Sequence, residues 1–253
     1  MTIDLNADLG EGYGAWWRPE DERRLLAAVT SANVACGFHA GDPSIMRCTT
    51  AACVAAGVVV GAHPAYPDLR GFGRVPMALP PERVVDDVVY QVGALQAVAR
   101  LEGTRVAHVK PHGAMYEAVA LDPALALALA ESLVRLDPEL RLVLPAGSVA
   151  AHALAARGRP LLREGFADRA YRDDGLLAPR HRPGAVLTDP EAALEQALAL
   201  ARGEEFATLD GARLRLAVDT VCLHSDTPGA AELARRVRAG LEAAGVAVTS
   251  PAP

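Results

Sequence analysis

Lysine is almost missing from this chain. Of its 25 Lys+Arg residues only Lys110 is a lysine, and asparagine occurs only at Asn6 and Asn33. A chain that uses arginine wherever a cation is wanted has kept one compact ammonium, which marks that position as a candidate for chemistry a planar guanidinium does not serve. Cysteine is also scarce. Cys36, Cys48, Cys53 and Cys222 form no CxxC pair, so they read as reduced thiols of a cytoplasmic protein, mostly in the core. No basic run occurs and the formal charge is -6, which excludes a nucleic-acid surface. The best apolar stretch, 51–62, is too short to span a membrane. Asp4 and Asp8 interrupt the first residues and no apolar segment follows, so no secretory signal is expected. There is no GxxxxGK[ST] loop, no GxGxxG after a strand and no GxSxG elbow. No histidine pair stands at HxH or HExxH spacing, so no metal is assigned.

What is present is a regular alternation. Hydrophobic residues make up 51% of the chain, enough for a sizeable core. Strand patterns fall at 3–8, 31–37, 58–62, 105–111, 140–145, 161–166 and 215–223. Amphipathic helix patterns fall at 20–29, 43–56, 81–101, 123–136, 148–157, 190–202 and 228–244. Seven βα units without a break in composition predict a parallel sheet covered by helices, closed as a seven-stranded TIM-like (β/α) barrel in one domain over 1–253. An open Rossmann-like sheet is the alternative. Asp42, Asp122, Asp189 and Thr227 each precede a proline, the signature of a capped helix start. The segments 64–81 and 171–186 read as long loops, which in compact domains are often functional.

Side chains alternate along a strand, and that alternation gathers the polar residues. Asp4, Asn6 and Asp8 share one face of the first strand, and Asn33 lines up with His39 on the second. His63 ends the third. His108, Lys110 and His112 share a face of the fourth, Glu164, Phe166 and Asp168 of the sixth, and Cys222, His224 and Asp226 of the seventh. Barrel enzymes build their sites at this C-terminal rim. Plainer readings apply to several positions. Asp42 is a helix cap, and Asp226 is a cap or a rim group. His108 is a core or rim histidine, and Asp4 is expected to pair with an arginine at the barrel bottom. His152 and His181 receive no role. The glycine-rich 10–14 segment is a weak phosphate signal and more often a simple turn.

These blocks resemble the family of the 5-oxoprolinase A subunit, also called LamB/YcsF, over nearly the whole length. The resemblance rests on DLNADLGEGYG (4–14), SANVACGFHAGDP (31–43), GAHPAYPDLRGFGR (61–74), VKPHGAMY (109–116), EGFADRAYRDDGLLAPR (164–180) and CLHSDTPGA (222–230). Ser225, where glycine is expected, departs from the pattern. The resemblance implies a barrel related to polysaccharide deacetylases and some glycosidases. It also implies ATP-dependent opening of 5-oxo-L-proline to L-glutamate with two partner subunits, the ATP site being shared with them and a divalent cation accompanying the nucleotide.

For that reaction, the residues suggest roles by their chemistry. Lys110 is expected at the developing oxyanion or transferred phosphoryl group. Asp8 or Glu11 is the base for water and His112 the proton donor. Asn6, His39, His63, His224 and Asp226 ring the substrate, with Asp168 and Arg169 closing the site and Arg169 suited to the substrate carboxylate. Two other readings stay open. One is a metal-dependent deacetylase or amidase using Asp8, His39 and His63. The other is a non-catalytic subunit that binds a small acid.

Overall fold

The computed structural model describes residues 1–224 and 229–251. In chain order its strands are β1 (Thr2–Leu9), β2 (Ser31–Ala35), β3 (Val59–His63), β4 (Val106–Val109), β5 (Arg141–Pro145), β6 (Leu161–Phe166), β7 (Phe206–Ala207), β8 (Arg213–Leu214), β9 (Thr220–Cys222) and β10 (Ala247–Val248). The α-helices are α1 (Pro19–Leu26), α2 (Pro43–Ala56), α3 (Pro81–Leu101), α4 (Gly113–Leu121), α5 (Pro123–Leu136), α6 (Val149–Ala156), α7 (Pro190–Arg202) and α8 (Ala230–Ala243). Strands β1 to β6 pair in succession and in parallel, and β9 pairs with both β6 and β1, which closes a barrel. Among the described residues the closed barrel has seven strands, as expected. β10 extends β1 below the closure, and β7 and β8 form a small antiparallel hairpin outside it.

Parallel strands need long crossovers, and the helices that supply them bury the outer barrel face. Leu5 and Leu9 of β1, Leu142 and Leu144 of β5, and Leu95, Leu129, Leu133, Leu154 and Leu200 of the helices are all essentially inaccessible. The barrel axis is different. Barrels of this kind are usually filled with branched apolar layers, but here the inward residues of β1 are Asp4, Asn6 and Asp8, all buried. Asp4 does not meet the arginine expected for it. Its carboxylate accepts from the hydroxyls of Thr30 (2.7 Å), Ser31 (2.7 Å) and Thr220 (2.5 Å). Those short side chains come from the end of the α1–β2 connection and from β2 and β9, which fill the narrow bottom of the barrel.

Asp42, Asp122 and Asp189 accept from first-turn amides of α2, α5 and α7, each cap contributing about 1 kcal/mol. Two elements differ from the sequence reading. The strand expected at 215–223 pairs only over Thr220–Cys222, and the hairpin of Phe206–Ala207 with Arg213–Leu214 precedes it. Helix α4 follows directly on His112 and is almost uniformly apolar, so no periodicity announces it.

Candidate active site

The site forms where β1, β3, β4, β6 and β9 end. Register places Gly61 opposite His108, Ala35 opposite His63, Asp8 opposite Asn33, and Phe166 opposite Cys222. Gly61 is needed there: a Cβ would stand 2.0 Å from the His108 ring.

Hydrogen-bond directions along the axis can be assigned from donor and acceptor chemistry. Thr220 donates to Asp4, and Asn6 Nδ2 donates to Thr220 Oγ1 (2.7 Å) and Glu164 Oε1 (3.0 Å). Asn33 Nδ2 donates to Asn6 Oδ1 and Asp8 Oδ1, both at 2.8 Å, while its own carbonyl accepts from His108 Nε2 at 2.8 Å. Tyr116 of α4 donates to Glu164 Oε2 at 2.5 Å. Lys110 Nζ sits in the middle, 2.9 Å from Glu164 Oε1, 3.1 Å from Asp8 Oδ1, 3.2 Å from Cys222 Sγ and 3.4 Å from Asn6 Oδ1. Its three protons therefore meet four protein acceptors. Lys110 holds Asp8 and Glu164 on the barrel axis and also lines the cavity above them.

Burial alone would raise the Asp8 carboxyl, but His63 and Lys110 beside it hold it well below the usual carboxylate range. Burial works against the Lys110 ammonium, yet Asp8 and Glu164 keep its pKa well above normal. Burial, with the charges of Arg141 and Lys110, drives His108 down to about 3, which fits a neutral imidazole within the barrel. Burial pushes the Cys222 thiol well up, so it is no thiolate nucleophile.

Above Asp8 the histidines gather. His39 and His112 stack with centroids 3.9 Å apart and planes 8° from parallel, and His63 stands edge-on to both. Glu11, on the loop after β1, places Oε1 3.0 Å from His39 Nε2, 3.3 Å from His112 Nδ1 and 3.6 Å from His63 Nε2. These four donor atoms lie within 4.8 Å of one another, and they are the residues best placed to hold a metal. Burial and neighbouring histidines push His112 to about 3 and His39 well down. His63 moves up, because Asp8 and Glu11 outweigh its burial.

The 64–81 loop supports this cluster. Phe72 takes φ 55°, the left-handed region a bulky residue avoids, and its carbonyl accepts from His112 Nε2 at 2.8 Å. Gly73 follows with φ 67°, where a Cβ would meet His112 at 2.8 Å and His39 at 2.9 Å. The 10–14 segment is irregular chain that leads into a short 3-10 helix at Gly14–Trp16. The Gly10 amide donates to Glu22 and the Gly14 amide to Asp42, so neither is directed at a phosphate.

Across the cavity stands a second constellation. Asp168 accepts from His224 Nδ1 at 3.0 and 3.1 Å and from the His224 backbone N–H at 3.3 Å. Burial raises the Asp168 carboxyl, but His224 more than offsets this and holds it below the usual range. The His224 ring lies over Phe166 at 5.5 Å. This pairing fixes the tautomer and leaves Nε2 for a ligand, the geometry of a general acid–base histidine. Arg169 donates to the Ala178 carbonyl at 2.7 Å and the Ala185 carbonyl at 3.3 Å. It ties down the 171–186 loop while still lining the cavity.

The cavity between the two constellations measures about 550 Å³ and is lined by Asp8, Glu11, His63, Lys110, His112 and His224, with Arg74, Arg172 and Arg180 in its outer wall. Its size suits a small ligand. Asn6 and His39 lie beneath or behind this surface, and Asp226 lies outside the described residues. Cys48 is exposed rather than in the core, and His152 and His181 are on the surface. Sequence reasoning gave no role to Glu164, Tyr116, Asn33 or Phe72. Glu164 shared a strand face with Asp168, and Asn33 was one of two asparagines, so both left a signal. Tyr116 and Phe72 left none.

The profile of the LamB/YcsF family matches residues 3–253. The chain belongs to that family. It is 51% identical to the 5-oxoprolinase A subunit of Methylococcus capsulatus over 98% of this chain and 95% of that one. It is 50% identical to the 5-oxoprolinase A subunit of Nocardia farcinica over 98% of both chains. The crystal structure of the lactam utilization protein from Thermus thermophilus superposes with a TM-score of 0.92 at 45% identity, covering 99% of this chain and 100% of that one. More distant likenesses concern the barrel alone. A putative cellobiose-phosphate cleavage protein of Enterococcus faecalis gives a TM-score of 0.59 at 13% identity over 98% of this chain and 97% of that one. No helix among the described residues of this LamB/YcsF protein is long and apolar enough to cross a membrane.

Proposed function

We propose that this chain is the A subunit of an ATP-dependent 5-oxoprolinase, which opens 5-oxo-L-proline to L-glutamate together with two partner subunits. The observation that carries the reading is the 51% identity to a 5-oxoprolinase A subunit along nearly the full length of both chains. The site is compatible with it. The cavity is sized for a small acid, and Arg74, Arg172 and Arg180 in its wall suit a carboxylate or a phosphoryl group.

The lactam is an unstrained amide, so its carbonyl needs activation. ATP supplies this by phosphorylating the amide oxygen, with a divalent cation on the nucleotide and the nucleotide site shared with the partners. His224 Nε2, oriented by Asp168, takes a proton from water as the water oxygen bonds to the lactam carbon. The C–N bond then breaks and the imidazolium returns its proton to the departing nitrogen. This leaves the acyl phosphate of glutamate, which a second water hydrolyses, so two waters are consumed and the products are glutamate, ADP and inorganic phosphate. Lys110 keeps Asp8 ionised beside the reacting carbon.

The test is glutamate release from 5-oxoproline and ATP by this chain alone and with its partner subunits. Turnover in the assembled mixture, lost when Asp168 is replaced by Asn, is expected. No turnover from a mixture shown to be assembled would overturn the reading.

A further inference from the structure

We propose that Glu11, His39, His63 and His112 form a binding centre for one divalent transition-metal ion of the zinc class. The inference stands on the geometry of the cluster and does not depend on the reaction proposed above.

The first argument is distance. Four donors held about 2.0–2.2 Å from one tetrahedral ion stand about 3.3–3.6 Å from each other. The separations here are 3.0 Å (Glu11 Oε1 to His39 Nε2), 3.3 Å (Glu11 Oε1 to His112 Nδ1), 3.6 Å (Glu11 Oε1 to His63 Nε2) and 3.0 Å (His112 Nδ1 to His63 Nε2). Glu11 Oε1, His63 Nε2 and His112 Nδ1 thus stand within a few tenths of an ångström of a shared shell. His39 Nε2, within 4.8 Å of all three, has to turn its ring off the His112 stack to direct its lone pair at the same ion, and the four atoms come from four different segments of the chain.

The second argument is proton bookkeeping. His63 Nδ1 lies 2.7 Å from the Lys110 carbonyl, and His112 Nε2 lies 2.8 Å from the Phe72 carbonyl. A carbonyl only accepts, so those two ring nitrogens carry the protons. The opposite nitrogens, His63 Nε2 and His112 Nδ1, then turn lone pairs toward each other and toward the Glu11 carboxylate. An extra proton on His63 Nε2 can be shared with only one of its neighbours, Asp8 Oδ2 at 3.4 Å, Glu11 or His112. The contact between Glu11 and His112 still sets acceptor against acceptor. One cation at the centre satisfies every one of these contacts. The carbonyl partners are also the outer-shell acceptors that metal-bound histidines ordinarily use to fix their tautomer.

The third argument concerns support. Phe72 is the one non-glycine residue with positive φ among those described, and its carbonyl is the His112 partner. Backbone strain held at this point is of the kind found where a constellation must be pre-formed. The donor set of three imidazoles and one carboxylate favours zinc, iron, nickel or copper over magnesium or calcium, which prefer all-oxygen shells. An ion there would face the cavity beside Asp8, where it could polarise a carbonyl.

The experiment is reconstitution of the intact chain, stripped with chelator, using Zn²⁺ or Co²⁺ alone. About one ion per chain should bind, and the cobalt form should show the intense visible bands of a four-coordinate N/O site. Replacing His39, His63 or His112 singly by Gln should weaken binding by about tenfold or more, while His152→Gln, a surface control, should bind as the parent does. Should a variant fail to fold, ring ¹⁵N NMR on the unmutated chain decides, since zinc must shift His63 Nε2 and His112 Nδ1 and leave their carbonyl-bonded nitrogens protonated. Failure of the folded parent to retain any ion overturns the proposal. So does binding by all three variants as tight as the parent's, or ring ¹⁵N shifts of His63 and His112 unchanged by metal.

Discussion

Replacing Lys110 by Met keeps most of the aliphatic stem and removes the charge. The ammonium stands 2.9 Å from Glu164 and 3.1 Å from Asp8, all three residues being buried. Taking away one partner of a buried ion pair leaves the other charge uncompensated, which typically costs about 3–5 kcal/mol. Against a total stability of about 5–15 kcal/mol the variant should still fold. With a urea m-value of about 3 kcal/mol/M, the midpoint should fall by about 1–2 M at neutral pH. The assay is equilibrium urea unfolding of four proteins: parent, Lys110→Met, Glu164→Gln and the double variant. Because the ammonium and Glu164 touch, the double variant should be more stable than the sum of the single losses implies, by about 1–3 kcal/mol. Additive losses, or a midpoint within error of the parent, would refute the assignment of Lys110 as the cation that holds these acids.

Other consequences can be checked with standard measurements. Gly61→Ala should cost about 1–3 kcal/mol, read as a fall in the calorimetric midpoint, because the added methyl meets the His108 ring at 2.0 Å. Asp168→Asn should lower glutamate release by about 100-fold or more, and adding His224→Gln should lower it little further, since the two act as one unit. Partial burial raises the Asp219 carboxyl, but Arg163 bonded to both its oxygens holds it below the usual range. A depressed carboxyl contributes stability that is complete above its unfolded pKa and lost as pH falls through its folded one. Asp219→Asn should therefore cost about 0.5–1 kcal/mol at pH 7, the pair being partly exposed, and nothing at strongly acid pH. Urea unfolding at both pH values checks this. Asp68 accepts from the amides of Gly71 and Val75 and so shapes the turn that presents the Phe72 carbonyl. Asp68→Ala should slow turnover more than it lowers the thermal midpoint.

The barrel was legible because seven strands and seven helices carry their own periods, and proline after Asp at 42, 122 and 189 marks helix starts. Alternation along β1, β4 and β6 also placed Asp8, Lys110, His112 and Asp168 on the correct side. Partners were harder to read. Nothing local distinguishes the two donors of Arg169 that bind loop carbonyls from ones aimed at a ligand, since the choice depends on where 178 and 185 return in space. Tyr116 reaches Glu164 only through α4, a helix too apolar to show a face. The His39–His112 stack joins residues 73 positions apart in different loops, and no spacing rule covers that. Histidine motifs such as HExxH describe ligands on one helix, so a cluster assembled from four segments escapes them.

The retention of one lysine and two asparagines has its explanation on the barrel axis. Four acceptors from β1, β6 and β9 surround a single point at 2.9–3.4 Å from the Lys110 nitrogen. A compact ammonium can face acceptors arriving from several directions, whereas a guanidinium offers its donors in one plane and occupies more volume. Arginine therefore serves at the surface but not on this axis. Asn33 must accept from His108 while donating to both Asn6 and Asp8, and Asn6 must donate to Thr220 and Glu164 while accepting from Asn33. Aspartate supplies no donor, and serine or threonine only one. An isosteric apolar residue would leave the charges of Asp8 and Glu164 partly unsatisfied in the barrel interior, which is costly. The three residues stand where two-sided hydrogen bonding or a point charge is the requirement.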